Sequence, residues 1–205
     1  MSKDMLGSVV RAAVGVPQGR LDTLAKIASR IAEDAPGGEV WHEHLDYLIR
    51  MGLPSKVEKL LKFLRPISLP AVAKFVVAEK FREGETVDGI KMAWVGKNFK
   101  ANFLTKVEEA VPALEMREHE LVTGSRDPAI ITELGGEDRV ETFLAHLWEE
   151  LKSADQNRYH VRYIRDVNRV LWAVNGYWYG GGLRVEADPL DDPSDWRVGY
   201  RFASR

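Results

Sequence analysis

The stretch YHVRYIRDVNRVLWAVNGYWYGGGLRVEA, residues 159–187, decides the predicted fold, together with WRVGYRF at residues 196–202. In both, apolar or aromatic residues alternate with polar ones, which is typical of strands with one buried face. Residues 170–179 are apolar on both faces, which predicts a central strand. Turn signals at 166–168, 180–182 and 188–195 separate the segments. The pattern predicts an antiparallel meander that ends with residues 196–202.

Helical periodicity dominates the first third of the chain. Apolar residues recur at helical spacing over residues 21–31, 40–49 and 57–64, and Gly37, Gly38 and Gly52 end the first two segments. Short helices joined by tight turns predict a helical bundle over residues 1–66. Pro66 and Pro70 bracket the predicted boundary with a second domain at residues 67–205.

Strands and helices are mixed between the predicted bundle and the meander. Residues 90–95 and 114–122 predict strands, and residues 83–89 predict a hairpin loop. Residues 74–81 also fit a helical period, but their β-branched and aromatic content favours a strand. Residues 99–107 predict a helix, Asp127 before Pro128 predicts a capped helix start, and residues 140–151 carry a continuous apolar stripe. The predicted fold class is α+β: an N-terminal helical bundle, then a mixed body whose C-terminal antiparallel meander packs on helices.

Composition excludes several kinds of function. The 205 residues include no cysteine, which removes disulfides, thiolate catalysis and cysteine-ligated zinc and suits a reducing compartment. The net charge is -2, and no segment approaches the ~20 apolar residues of a membrane span. We therefore predict a cytoplasmic protein without membrane contact, and the oligomeric state stays open.

Three segments resemble an uncharacterised family of small bacterial proteins. They are FREGETVDGIKMAWVGKNFKANFL at residues 81–104, AIITELGGEDRVETFLAHLWEEL at 129–151, and the tail from residue 163 to 205. The resemblance covers residues 67–205 and implies one recurrent bacterial domain, with no activity, cofactor or catalytic residue. Such relatives carry Asn-Gly where this chain has Asn168 and Arg169, which disfavours a tight two-residue turn.

Few histidines are spaced for chemistry. His42 and Asp46 share the i, i+4 spacing of metal ligands on a helix, but no third ligand accompanies them. His146 precedes Glu149 and Glu150 on a predicted helix, an arrangement found in general bases and on ordinary helix surfaces. For both groups a solvated helix face is the simpler interpretation.

Glu118 and Glu120, on either side of His119, fall on one face of a predicted strand. Paired carboxylates perform acid–base chemistry or bind a hard cation, although alternating charge is more typical of a solvated strand face. The glycines at 180–182 lead into another strand, so they predict a hairpin turn rather than a phosphate loop. The sequence predicts no metal site and no cofactor.

One set of residues forms a predicted binding face on the meander. Its members lie opposite the apolar alternation or on the neighbouring strand: Arg162, Arg184, Arg197, Arg201, Tyr177 and Tyr179. Guanidinium groups bind phosphates and tyrosine rings stack on bases, which favours single-stranded nucleic acid. The same residue types form protein-binding hot spots. The alternative is a solvated face on which arginine stems cover the sheet.

Three functional hypotheses follow. The favoured hypothesis is a non-enzymatic binding protein whose partner is a protein or a single-stranded nucleic acid. The second is a metal-free hydrolase or transferase with a site between bundle and sheet, formed by His146, His119 and nearby carboxylates. The third is a structural or assembly protein in which the bundle supplies an oligomer interface.

Overall fold

The computed structural model describes residues 59–205, which fall in the second of two compact units of the chain, Glu58–Arg205. Strands make up 45% of the described residues and helices 20%. Predictions for residues 1–58, including the helices over 21–31 and 40–49 and the pair of His42 and Asp46, lie outside the described residues.

The described residues form one large mixed sheet and a separate strand pair. The strands of the described residues are β1 (Leu61–Leu69), β2 (Val72–Val76), β3 (Thr86–Val87), β4 (Ile90–Val95), β5 (Val107–Val111), β6 (Leu114–Leu121), β7 (Glu141–Thr142), β8 (His160–Arg165), β9 (Leu171–Tyr179), β10 (Gly182–Pro189) and β11 (Arg201–Ser204). The large sheet has the order β1-β6-β11-β8-β9-β10-β4-β3, with β7 also paired to β8. The strands β2 and β5 form the separate antiparallel pair.

Five short helices accompany these strands in the described part of the chain. They are α1 (Val77–Lys80), α2 (Lys97–Phe103), α3 (Asp127–Glu133), α4 (Glu137–Val140) and α5 (Leu144–Leu151). Within residues 59–205, none of them is long and apolar enough to cross a membrane.

The predicted α+β fold with an N-terminal helical bundle is wrong for the described residues. The last predicted helix includes Leu61 and Leu64, but these residues belong to β1, which pairs antiparallel with β6. Pro66 lies inside β1, which is at one end of the strand order, and prolines within sheets are confined mainly to such edge strands. Pairing with β6 therefore overrides the helical spacing, and β1 runs across the predicted domain boundary at residues 66 and 67.

The predicted antiparallel meander is correct for β8, β9 and β10 but wrong for its last strand. Consecutive strands of these three pair antiparallel. The last strand, β11, begins at Arg201, and it pairs antiparallel with β6 and parallel with β8 instead of joining β10. The alternation from Trp196 breaks at Gly199, whose φ is 91°, and Val198 is 62% exposed. Parallel pairing of β10 with β4 also makes the sheet mixed.

The turn between β8 and β9 closes without a glycine. Arg169 adopts a φ of 65°, in the left-handed region that few side chains favour. One carboxylate oxygen of Asp166 accepts hydrogen bonds from the backbone N–H groups of Asn168 and Val170, both at 2.8 Å. The Asp166 side chain thus stabilises a longer turn than the two-residue type.

The apolar stripe at residues 140–151 does not form one helix, which corrects the prediction. The helix α4 ends at Val140, and β7 then pairs with β8 before α5 begins at Leu144. The buried carboxylate of Glu108 accepts hydrogen bonds from the backbone N–H groups of Leu144 and Ala145 at 3.0 and 2.9 Å. A carboxylate on the first N–H groups of a helix satisfies donors that lack partners in the helix, so Glu108 fixes where α5 starts.

The sheet has an apolar core on each face. Ile164 and Val174 belong to one cluster, with the buried residues of α2 and α5, whereas Tyr163 and Ala173 belong to the other, with those of α3 and α4. Because neighbouring residues of a strand point to opposite faces, β8 and β9 are covered on both sides. We refer to the two faces as the α5 side and the α3 side.

Candidate functional site

The six residues of the predicted binding face lie on both sides of the sheet. Arg184 and Tyr177 are cross-strand partners on the α3 side, and the Arg184 guanidinium lies 4.7 Å from the centroid of the Tyr179 ring. Arg197 is exposed in the loop before β11. Arg201 faces the α5 side, where it forms an ion pair with Glu120 at 2.9 Å. The predicted set is therefore not one continuous surface.

Arg162 is 1% exposed, so the prediction that it faces solvent is wrong. Its Nε donates to Glu150 Oε2 at 2.8 Å, and its Nη2 donates to Glu150 Oε1. Its Nη1 donates to the carbonyl oxygens of Val161 and Arg201. The alternation along β8 was predicted correctly, because Val161 and Arg162 point to opposite faces of the sheet. The face that carries Arg162 is covered by α5, which provides Glu150 as its partner.

Three tyrosines stack on one another on the α3 side. The ring centroids of Tyr159 and Tyr177 are 4.3 Å apart with planes at 17°, and those of Tyr159 and Tyr200 are 4.4 Å apart with planes at 2°. Trp196 packs against the end of the stack at a tilt of 53°, with its centroid 5.7 Å from that of Tyr200. We call these four residues the tyrosine ladder. Burial is the main cause that raises the pKa of both Tyr177 and Tyr200.

The sequence predicted Tyr177 as a binding residue but missed Tyr159 and Tyr200, which the alternation assigned to the buried faces of their strands. Each of these two rings is in fact partly exposed. Their contact depends on β11 lying beside β8, where the backbone N–H of Arg201 donates to the carbonyl of Tyr159 at 2.8 Å. That adjacency is absent from the predicted meander.

Two carboxylates of β10 lie on the same side as the ladder. Glu186 pairs with Asn175 across β9, and Asp188 Oδ2 accepts a hydrogen bond from Asn175 Nδ2 at 2.8 Å. Burial, followed by the charges of Glu186 and other nearby acids, raises the pKa of Asp188 to about 6. Burial also raises the pKa of Glu186, against the opposing charge of Arg184. Among residues 59–205, neither carboxylate has a salt-bridge partner.

Asp127 holds the end of the ladder in place. One of its carboxylate oxygens accepts hydrogen bonds from Tyr163 Oη and from Trp196 Nε1, both at 2.7 Å. Its carboxylate was predicted to cap α3, but it makes these bonds instead and is itself the first residue of that helix. Burial raises the pKa of Asp127, while the two donors lower it. The side chain therefore connects α3, β8 and the loop that carries Trp196.

A second polar group lies buried on the α5 side. Glu118 of β6, Glu150 of α5 and His160 of β8 are 4%, 8% and 2% exposed. One ligand atom from each lies within 4.8 Å of the other two. We call these three residues the Glu-His cluster. Arg65 donates to Glu118 at 2.8 Å, and Arg162 binds Glu150 as described.

The arginine partner decides the charge state of Glu150. Burial alone raises the pKa of a carboxyl group. The charge of Arg162 and its hydrogen bonds to this carboxylate outweigh the desolvation, so the pKa of Glu150 is held below its usual value. Glu150 is therefore a carboxylate at neutral pH despite its burial.

The two histidines of the enzyme hypothesis lie apart from this cluster. His146 has its Nδ1 at 3.2 Å from Thr142 Oγ1 and its Nε2 at 3.0 Å from the carbonyl of Pro112. His119 Nε2 lies 3.3 Å from Ser204 Oγ. Burial lowers the pKa of both imidazoles. In the described part of the chain, no ring nitrogen of His119 or His146 is hydrogen bonded to a carboxylate. The convergence that the enzyme hypothesis requires is therefore not found there.

The sequence identified parts of the Glu-His cluster separately. Glu118 was singled out with Glu120, and Glu150 was singled out beside His146, whereas His160 was not among the predicted site residues. The convergence of the three requires β11 between β6 and β8 and α5 above them. The alternation within a single strand carries no signal for that arrangement.

A cavity of about 520 Å³ opens beside the glycine turn between β9 and β10. Asp88, Lys91, Lys152 and Trp178 are among its lining residues. Asp88 already accepts hydrogen bonds from Lys80 Nζ at 2.8 Å and Trp148 Nε1 at 3.0 Å. These donors already satisfy the acidic group of Asp88, so this carboxylate is not free to bind a ligand in the cavity.

The chain matches no family model, no curated protein and no solved structure. The resemblance to an uncharacterised bacterial family therefore gains no support from these comparisons.

Proposed function

We propose that this protein is a binding protein and that its tyrosine ladder and β10 carboxylates receive a basic, extended segment of another protein. The observation that carries the proposal is the position of Glu186 and Asp188, two partly buried carboxylates without an ion-pair partner in residues 59–205, beside stacked aromatic rings. A Lys or Arg side chain of the partner would pair with these carboxylates and pack on the rings.

The aromatic groups suit a protein partner. Tyrosine and tryptophan provide large contact area at low cost in conformational entropy and are enriched in binding hot spots. Guanidinium groups stack on aromatic faces, and Arg184 already makes this contact with Tyr179 at 4.7 Å. Of the residues predicted from sequence, we keep Tyr177, Tyr179, Arg184 and Arg197 in the proposed binding surface.

The local charge favours a protein over a single-stranded nucleic acid. Asp192 follows β10 and adds negative charge near Asp188 and Glu186. A phosphate chain is repelled by such a group of carboxylates, whereas a basic peptide is attracted to it. We propose the cytoplasm as the compartment in which this binding takes place.

The affinity for the basic segment is also expected to depend on pH. A cation bound beside Asp188 favours the ionised carboxyl group, whose pKa is about 6 without the partner. Affinity therefore rises as the pH increases through about 6, because below that pH the partner must displace a proton.

The test is a titration of the full chain with a short Arg- and Ser-containing peptide, followed by the fluorescence of Trp196 and its neighbours. An acidic peptide of equal length and a single-stranded RNA oligonucleotide serve as comparison ligands. We expect the basic peptide to bind best, and D188N to weaken it by roughly tenfold, the loss of one charge-assisted contact. The matched control is E109Q, which removes an exposed carboxylate from β5 and leaves affinity unchanged.

Two results would overturn the proposal. One is equal binding of the basic and acidic peptides. The other is tighter binding of the RNA oligonucleotide with a strong salt dependence, which would favour the nucleic-acid hypothesis instead.

A further inference from the structure

We infer that Glu118, Glu150 and His160 form a binding site for a divalent transition-metal ion such as Zn²⁺ or Mn²⁺. This site lies on the α5 side of the sheet, is separate from the tyrosine ladder, and was not predicted from the sequence. One imidazole and two carboxylates are ligand types that such ions accept.

The spacing of the three side chains fits one ion. Their ligand atoms lie within 4.8 Å of one another. Two atoms bound to the same Zn²⁺ ion at about 2.0–2.2 Å are at most about 4.4 Å apart, so side-chain shifts of a few tenths of an ångström bring the three groups onto one ion. The three residues come from β6, α5 and β8, so the site is fixed by packed elements rather than by one loop.

The hydrogen bonds of His160 leave one ring nitrogen for the ion. Its Nε2 lies 3.0 Å from the carbonyl oxygen of Asp155. A carbonyl only accepts, so this nitrogen carries a proton, and the tautomer that binds a metal presents a lone pair at Nδ1. Histidines that bind metals usually donate their other N–H to a carbonyl or carboxylate in this way.

The Nδ1 atom points into the cluster without a hydrogen bond. It lies 3.3 Å from Glu150 Oε1, yet it has no hydrogen-bond partner within residues 59–205. Two lone pairs facing each other in a buried site repel, and leaving a buried polar atom unpaired is costly. A cation shared by Nδ1 and the carboxylate removes both penalties.

The arginines are compatible with an ion. Arg65 and Arg162 each donate to one carboxylate of the cluster, which neutralises it and orients its oxygens. An ionised carboxylate offers about four acceptor positions, so lone pairs remain for a metal. Ligating carboxylates are usually hydrogen bonded to such neighbouring groups. The arginines also lower the affinity, because they already supply positive charge to the site.

The experiment measures metal uptake by the full chain. Equilibrium dialysis against ZnCl₂ or MnCl₂ is followed by elemental analysis, and thermal unfolding is recorded with and without the ion. We expect one bound ion per chain, a higher Tm, and at least a tenfold loss of affinity in E118Q and H160Q. Two controls keep their affinity: H119Q, whose side chain points away from the cluster, and H42Q/H44Q.

A readout on the wild-type protein avoids dependence on variant folding. Nitrogen-15 labelled histidine reports ring coordination, and we expect Zn²⁺ to shift the Nδ1 resonance of one histidine. The inference is overturned if no such shift occurs, or if E118Q binds the ion as well as wild type. It is also overturned if neither metal raises the Tm of the wild-type protein.

Discussion

Replacing Arg162 with methionine, a side chain of similar length without charge, is expected to destabilise the protein severely. The perturbation leaves the Glu150 carboxylate, which is 8% exposed, without its main partner. Two hydrogen bonds to this carboxylate are lost, including that of Arg162 Nε at 2.8 Å. The bonds from Arg162 Nη1 to two backbone carbonyls also disappear.

The magnitude follows from the burial of the pair. Removing one partner of a buried ion pair costs about 3–5 kcal/mol in the free energy of unfolding, because the other charge stays buried and unpaired. For a chain of this size, that corresponds to a fall in Tm of roughly 6–20 °C. An exposed arginine changes stability by less than about 0.5 kcal/mol. The expected losses in the free energy of unfolding on replacing the buried Arg162 and on replacing an exposed arginine therefore differ by nearly an order of magnitude.

The loss is also expected to depend on pH. In the wild type the pKa of Glu150 is held below its usual value, so its contribution is complete above that value and is lost as the pH falls through the folded-state pKa. In the variant, burial raises the pKa of Glu150, and at acid pH the carboxyl group accepts a proton and loses its unpaired charge. The difference between variant and wild type is therefore largest at neutral pH and smaller near pH 4.

Urea unfolding followed by tryptophan fluorescence measures these free energies. R197M is the matched control, because Arg197 is exposed and its side chain makes no hydrogen bond or salt bridge within residues 59–205. The double variant E150M/R162M is expected to recover much of the loss, since it removes both charges together. A loss in R162M as small as that in R197M would refute the reasoning.

Two further predictions concern β10. D188N should stabilise the protein at pH 8 but not at pH 4: the pKa of Asp188 is raised from 3.8 to about 6, so its charge is penalised in the folded state above that range. The pKa shift corresponds to about 3 kcal/mol, which we reduce to about 1 kcal/mol because the side chain is partly exposed. Equal urea midpoint shifts at both pH values would contradict the prediction. G182A should lower Tm by at least about 3 °C, because an added Cβ would lie 2.8 Å from Ala93 Cβ and 3.0 Å from the Lys91 carbonyl oxygen. A thermal melt like that of the wild type would show that β4 and β10 tolerate the methyl group.

Strands with local signals could be predicted from the sequence. The β9 strand, with apolar residues on both faces and a turn at each end, was predicted within a residue of its observed start. The same holds for β4. These segments pair with strands close to them in sequence, or have flanking turns that fix their limits, so local pattern and final structure agree.

Segments that depend on distant partners could not be predicted. Leu61 and Leu64 have helical spacing, yet pairing with β6, more than 50 residues later, makes them part of a strand. The alternation predicted that Arg201 lies on the outer face of a meander, but β11 instead pairs with β6 and β8. In both cases tertiary pairing outweighs local propensity.

In the candidate sites, too, the features with a local signal were predicted and those that depend on distant strands were missed. Glu118 and Glu120 were correctly assigned to one strand face, because alternation within a strand is local. The burial of Glu118 and its approach to His160 depend on the order of strands in the sheet. The stack of Tyr159 on Tyr200 likewise requires β8 and β11 to be adjacent, which no spacing in the sequence encodes.

The central position of β11 has a consequence for the order of folding. The antiparallel pair of β1 and β6 is joined to β8 through β11, although β11 follows every other described strand in the chain. During synthesis, the earlier strands emerge long before the strand that joins them. The edge of β6 therefore stays unpaired until residues 201–204 arrive, and unpaired edges are where partly folded chains aggregate. The non-local pairing also raises the contact order, which slows folding.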